Sequence, residues 1–191
     1  MAYTPLRDKP LCFVDVETSG LDPAKHEMLE FAVAFENGEG LSFKIKPEDI
    51  GHADPYALKV NGYTPEAWVG AYDFKEAAWK IAEHLKEHVL VGHNVKFDVG
   101  FINALLQKAG VKERVDYHCL DTVTLAYEHL VPCGLDSLSL KNVCRFLDIP
   151  EEPEKHEAFY GASACRQVYL RLVNATWVDR LKWRMRKGAK G

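Results

Sequence analysis

Two carboxylates stand two residues apart in an otherwise apolar segment, Asp15 and Glu17 in FVDVET (13–18). If the segment is a strand, both side chains leave the same face, about 6–7 Å apart along it. Desolvating like charges side by side costs several kcal/mol per ion unless a cation neutralises them. A hard divalent ion such as Mg²⁺ or Mn²⁺, which prefers oxygen donors, is the natural partner. Two solvated acids on an edge strand are the other reading of this pair alone. Asp98 follows VGHNVKF at a strand-to-helix junction, where α/β sheets assemble their sites; by itself it also suits a helix N-terminus, whose dipole favours acids. His156 lies in a Glu-rich loop before the last helix, and five residues on stands Gly161. Glycine in a helix costs about 1 kcal/mol relative to alanine, so this one needs a reason.

The elements that must position these residues follow from hydrophobic period. LCFVDVET (11–18), MLEFAVAFE (28–36) and GLSFKIKP (40–47) are β-branched and aromatic enough for strands. NGEG between the second and third is a hairpin turn, which makes those strands antiparallel neighbours. The period then becomes helical over 73–88, where Phe74, Ala77, Ala78, Ile81 and Leu85 share a face. A buried strand at 89–94, a helix at 97–110 and a strand at 115–121 come next. Helices at 122–130 and 137–147 precede a long one beginning near 157, whose apolar stripe is Ala158, Ala162, Cys165, Tyr169 and Leu172. Three antiparallel strands followed by alternating helix and strand predict an α/β fold, a mixed sheet flanked by helices.

The chain has 191 residues, enough for one domain with a real core, and is 47% hydrophobic and 27% charged, ordinary for a soluble globular protein. No apolar run reaches the length of a membrane span, and MAYTPLRDKP is no signal peptide, so a cytoplasmic protein is expected. Five cysteines without a CxxC pair argue for reduced thiols and against a disulfide framework or structural zinc. Residues 180–191 hold six of the 24 Lys/Arg and none of the 28 Asp/Glu, leaving residues 1–179 at −10. An acidic body with a basic tail suits a protein that holds cations and meets a polyanion; a solubilising terminus is the simpler use of such a tail.

Taken together, FVDVETSGLDP, MLEFAVAF, VNGYTPEAW, LVGHNVKFDVGFIN, CLDTVTLAYEHLVPCGLDSLSLKNVCRFLDIP and HEAFYGASACRQVYLRL resemble, in order and spacing, the DEDDh (DnaQ-like) 3′–5′ exonucleases. That family includes polymerase III proofreading subunits and RNase T. The resemblance spans about residues 9–174, which divides the chain into an exonuclease domain (1–174) and a basic tail (175–191). It implies a ribonuclease H-like sheet of five strands in the order 3-2-1-4-5. It also implies hydrolysis of nucleic acid from the 3′ end with two Mg²⁺ or Mn²⁺ ions. Asp15 matches the carboxylate bridging the two metals, Glu17 a ligand of the metal that binds the attacking water, Asp98 the ligand of the second metal, and His156 the general base. Metals of this kind stabilise attacking and leaving oxygens while a base with pKa near neutrality takes the proton. Asp121 belongs to the DT pattern and is expected to be structural.

The same resemblance implies nucleic-acid contacts from Thr18, Ser19 and Leu21, with Leu21 a wedge against the last bases, from Val60 and Asn61 in a second loop, and from Asn94 and Phe97 along the groove. Stacking and wedging tolerate any base, so single-stranded or frayed ends of DNA or RNA are the expected substrate, DNA being favoured. A homodimer or a DNA polymerase is the expected protein partner, and no membrane is.

One residue departs from the family pattern. Where H-x-x-x-x-D-A is usual, HEAFYGA places Gly161 in the aspartate's position, and Ala162 fixes the register. The missing carboxylate is a ligand of the water-binding metal. An active enzyme with water, Glu154 or Glu157 standing in, a degenerate nucleic-acid-binding or polymerase-associated scaffold, and an engineered substitution all accommodate the change. The intact remainder of the motif set favours an impaired nuclease.

Overall fold

A computed structural model describes residue 5 and residues 8–116, 118–150 and 158–188. Its sheet has five strands, β1 (Leu11–Thr18), β2 (Met28–Phe35), β3 (Gly40–Lys44), β4 (Val89–Gly92) and β5 (Leu120–Asp121), in the order β3-β2-β1-β4-β5. The first three are antiparallel, while β4 runs parallel to β1 and β5 parallel to β4. This is the ribonuclease H-like mixed sheet expected from the sequence. The NGEG hairpin forms as read, with Ala34 opposite Gly40 and Gly38 at φ 89°.

Alternation along β1 sends its two faces into separate cores. Cys12, Val14 and Val16 pack against α2 (Phe74–Leu85) and α3 (Val95–Lys108), with Ile81, Phe101 and Ile102 fully or nearly fully buried. The opposite face of β1 carries Phe13, Asp15 and Glu17. There Phe13, Ala32, Ala34 and Val91 meet Ala158, Ala162 and Cys165 of α6 (Ala158–Val173). Small residues on both sides of this seam let helix and sheet approach closely, as core packing density requires. The other side of α6 is also buried: Ala164, Val168 and Leu172 join α4 (Thr122–Leu130) and α5 (Leu140–Phe146) in a further apolar cluster.

Two helices were not expected. α1 (Pro55–Asn61) is short but fully punctuated: Asp54 caps it through the Tyr56 amide, Pro55 opens it, and Gly62 ends it in the left-handed region at φ 63°. With Asn61 its one buried residue, it has no apolar stripe to betray it. α7 (Trp177–Gly188) lies where a basic tail was read. Thr176 and Asp179 form its capping box: the Thr176 amide and hydroxyl donate to the Asp179 carboxylate at 2.9 and 2.6 Å, and the Asp179 amide donates back at 3.2 Å. Trp183 then buries itself in the cluster of Leu130, Cys133 and Leu172. Other boundaries moved by a few residues. α5 begins at Leu140 because Ser139 caps it, α3 begins at Val95, and the strand read over 115–121 is reduced to Leu120–Asp121.

Among the described residues no helix is long and apolar enough to cross a membrane, and all five cysteines are free thiols. Trp183→Ala is expected to cost about 3 kcal/mol of unfolding free energy in urea titration, since truncating a buried tryptophan removes its packing and leaves a cavity. A loss under about 1 kcal/mol would show that α7 is not docked.

Candidate active site

The site is built where the sheet opens. β4 pairs with β1 only over Leu11–Phe13, so the second half of β1 has no strand on that side, and the first turn of α3 fills the gap. Asp98 projects from that turn and is buried at 4% exposure, with the Val16 amide of β1 and its own amide directed at its carboxyl. Desolvation and, to a lesser extent, the nearby Asp121 charge nevertheless push its pKa up to about 8. A nearby cation would favour the ionised form of such a carboxyl.

What holds α3 in place is Asp121. Its carboxylate accepts from the Asn94 and Val95 amides at 3.0 and 3.2 Å and from Val123 at 2.8 Å, joining the starts of α3 and α4. Asn94 itself takes the left-handed conformation, φ 68°, which asparagine tolerates better than most residues. His93 braces the same junction. Its Nε2 donates to the Leu138 carbonyl at 2.7 Å and its Nδ1 lies 2.8 Å from the Thr122 hydroxyl. Burial holds the His93 pKa below its ordinary value. Asp121 is thus structural, as the sequence suggested, and His93 is a brace that the sequence did not single out.

Asp15 and Glu17 leave β1 on the α6 side, half-buried, opposite Ala32 and Glu30 of β2. Glu30, at 9% exposure, is a further acid on this face; its signal in the sequence is a lone carboxylate inside the apolar strand MLEFAVAF. Like charges directly across a strand pair disfavour the fold and favour a cation. Gly161, in the first turn of α6, lies against Asp15. A Cβ added there would stand 2.4 Å from Asp15 Oδ2 and 2.6 Å from Cγ. The glycine is therefore a close-approach residue, and the position it occupies is at the site. His156 lies outside the described residues, as do Glu154 and Glu157.

The expected nucleic-acid contacts divide into builders and exposed groups. Thr18 is buried and its hydroxyl donates to the Gly20 carbonyl at 2.7 Å. Ser19 is 1% exposed, its hydroxyl accepting from the Glu27 amide at 2.8 Å. Buried Asn61 donates from Nδ2 to the Thr18 carbonyl at 2.8 Å, tying α1 to the end of β1. These side chains shape the 18–27 loop. Leu21, by contrast, is 80% exposed at its tip. Val60 is half-buried beside Asn61, Asn94 is exposed, and half-buried Phe97 packs on Phe101 with ring centroids 4.9 Å apart.

Hard oxygen donors dominate the site. Cys165 is buried one helical turn beyond Gly161, and burial together with the charges of Asp15, Asp98 and Asp121 keeps its pKa well above the ordinary thiol value. It stays a thiol and adds no soft ligand, so the donor chemistry fits Mg²⁺ or Mn²⁺. Among the described residues, however, no three His, Cys, Asp or Glu side chains close around one point.

Sheet topology defines an α/β protein with a ribonuclease H-like mixed sheet, and its paired acids stand at the end of the central strand β1. Comparison with known proteins gives the family: the RNase T exonuclease model matches residues 12–169, and the chain belongs to that exonuclease family. Ribonuclease T of Shewanella frigidimarina is 29% identical over 184 residues, covering 84% of this chain and 80% of the relative. The PolC-type DNA polymerase III of Halalkalibacterium halodurans is 31% identical over 179 residues, 90% of this chain but 12% of the polymerase. Among solved structures, the zinc-bound form of an E. coli exonuclease I complex with single-stranded DNA superposes with a TM-score of 0.73 at 23% identity, covering 92% of this chain and 42% of that one. The chain thus spans less than half of exonuclease I and a small part of the polymerase.

The buried Asp98 carboxyl has a consequence for stability. With its pKa raised from the usual carboxylate value to about 8, the group favours the folded state only while protonated. That contribution is complete below about pH 4 and is lost as pH rises toward 8. In EDTA, Asp98→Asn should therefore stabilise the protein by about 2 kcal/mol or more near pH 8 and by nearly nothing below pH 4. Thermal unfolding across that range tests this, and a pH-independent difference would contradict it.

Proposed function

We propose that this chain is a metal-dependent 3′–5′ exonuclease that trims single-stranded nucleic acid, DNA in preference, with activity lowered by Gly161. One observation carries the reading. Asp15 and Glu17 share a face at the end of β1, Asp98 reaches the same strand from α3, and position 161 touches Asp15.

Asp15, Glu17 and Asp98 would hold Mg²⁺ or Mn²⁺, whose chemistry is to stabilise the attacking and leaving oxygens of phosphodiester hydrolysis. His156 is the proposed base, on the strength of the motif alone. The loop shaped by Thr18, Ser19 and Asn61 presents Leu21 as the wedge beneath the terminal base, while Asn94, Phe97 and Val60 border the strand's path. Exonuclease I structures with dT13 and dA16 oligonucleotides support a single-stranded substrate. The PolC-type relatives support association with a DNA polymerase. Five free thiols suit a reducing, cytoplasmic setting.

Gly161 supports a second reading, a nucleic-acid-binding scaffold that no longer cuts. Lack of a carboxylate at 161 would loosen the hold on a bound cation, and a misplacement near 1 Å costs about 100-fold in rate. The two readings separate on 5′-labelled single-stranded DNA in Mn²⁺. The chain should give a ladder of shortened products, Asp15→Ala none, and Gly161→Asp a rate about 100-fold higher once the Asp15 carboxylate has swung away from the new Cβ. Binding without cutting by all three proteins would establish the scaffold. Absence of both binding and cutting in the unsubstituted chain as well as in Gly161→Asp would remove both.

A further inference from the structure

α7 is amphipathic in an inverted sense. At about 100° per residue, Trp177, Val178, Leu181 and Met185 fall within an arc of about 100°, and Trp183 projects from the opposite side. The single tryptophan is docked, 7% exposed, whereas the four-residue arc faces solvent: Trp177 is 76% exposed, Met185 62%, Leu181 49% and Val178 38%. Val173 at the end of α6 is likewise exposed. Lys182 borders the arc on one side and Arg184 on the other, both exposed. The capping box at Thr176 and Asp179 fixes the start of the helix, so the arc is preformed. Between Gly161 and Val173 α6 rises about 18 Å, which separates this surface from the catalytic acids.

We infer that the solvent-facing arc of α7 is a docking surface for an acidic amphipathic helix of a partner protein, whose apolar residues cover Trp177, Leu181 and Met185 and whose carboxylates pair with Lys182 and Arg184. Charge and polarity select this occupant. A nucleic-acid strand satisfies the basic residues but leaves four large apolar side chains in water. An anionic lipid surface would draw α7 but repel the rest of the molecule, since residues 1–179 carry −10. Symmetric pairing of α7 with a second copy brings together two helices that each carry five Lys/Arg against the single acid Asp179, whose carboxylate is already engaged by Thr176, so the pairing is repulsive. A helix with apolar residues at i, i+3, i+4 and i+7 and acids beside them meets both requirements at once.

The test uses the full chain and reads Trp177 fluorescence, with Trp177→Phe as the blank. The probes are a synthetic 18-residue helix with leucine at that spacing and flanking glutamates, its scrambled counterpart, a 30-nucleotide oligothymidine and phosphatidylglycerol vesicles. The ordered peptide should bind in the micromolar range, at least tenfold more tightly than the scramble and more weakly as salt rises. Leu181→Glu should weaken it at least tenfold, and Met185→Glu likewise; both positions are exposed, and unchanged circular dichroism confirms the fold of each. Reversal of both Lys182 and Arg184 to glutamate should do the same. Equal binding of the scramble, no binding of the ordered peptide, or a larger Trp177 response to oligothymidine or vesicles overturns the proposal. So does self-association in sedimentation that Leu181→Glu abolishes.

Discussion

The distance between the start of α6 and β1 is the constraint on which the site depends. Ala32 and Ala34 on the sheet and Ala158, Gly161 and Ala162 on the helix together form a seam without bulk. Close packing along it sets Asp15 against the helix backbone. Any side chain at position 161 must displace the Asp15 carboxylate, because even a Cβ would lie at 2.4 Å from it. The helical cost of glycine, about 1 kcal/mol, is thus linked to the placement of the central acid. Packing and chemistry meet in one residue, and neither can be altered there alone.

A second constraint comes from the other side of the sheet. Because β4 stops at Gly92, β1 extends beyond its parallel neighbour and leaves amides to be satisfied. α3 enters that gap only because Asp121 takes the Asn94 and Val95 amides and allows the chain to turn through a left-handed asparagine. The result is a buried carboxyl, Asp98, whose desolvation the fold tolerates without fully compensating. Such uncompensated burial is a common signature of a functional position, since a structural acid would be expected to find a better partner. Asp121 shows the contrast: its carboxylate receives three backbone N–H groups and fixes geometry.

The sheet was legible because its strands differ in kind from its helices. β1 and β2 are continuous runs of Val, Phe, Ala and Leu, and the hairpin carries its own turn signal, so order and pairing followed from pattern and family likeness. The acids of β1 were legible for the same reason, as charges standing where the pattern demands apolar residues. Glu30 obeys that rule and escaped notice because it is a single acid rather than a pair. α1 and α7 were hidden by a different cause. Both are held by caps and by single buried anchors, Asn61 and Trp183; α1 has no apolar stripe at all, and the stripe of α7 faces solvent in a segment whose basic charge reads as a tail. Ser19 and Asn61 illustrate the limit for the site: their types suit ligand contact, but hydrogen bonds to the Glu27 amide and the Thr18 carbonyl, invisible in sequence, make them builders of the loop.

The two ends of α6 are built on opposite principles. At its start the helix is bare, glycine and alanine pressed on a charged strand, and the chain keeps large side chains away. Beyond its end, α7 spends one tryptophan on the core and turns four large apolar residues outward between two cations. A helix that served only to cover the second core would reverse that distribution, burying the arc and exposing Trp183. Exposed apolar surface bordered by charge persists at a cost in solubility, and that cost is understandable where something else covers it. Catalytic geometry and partner recognition would then be separated by the length of one helix, so that either can be lost without the other.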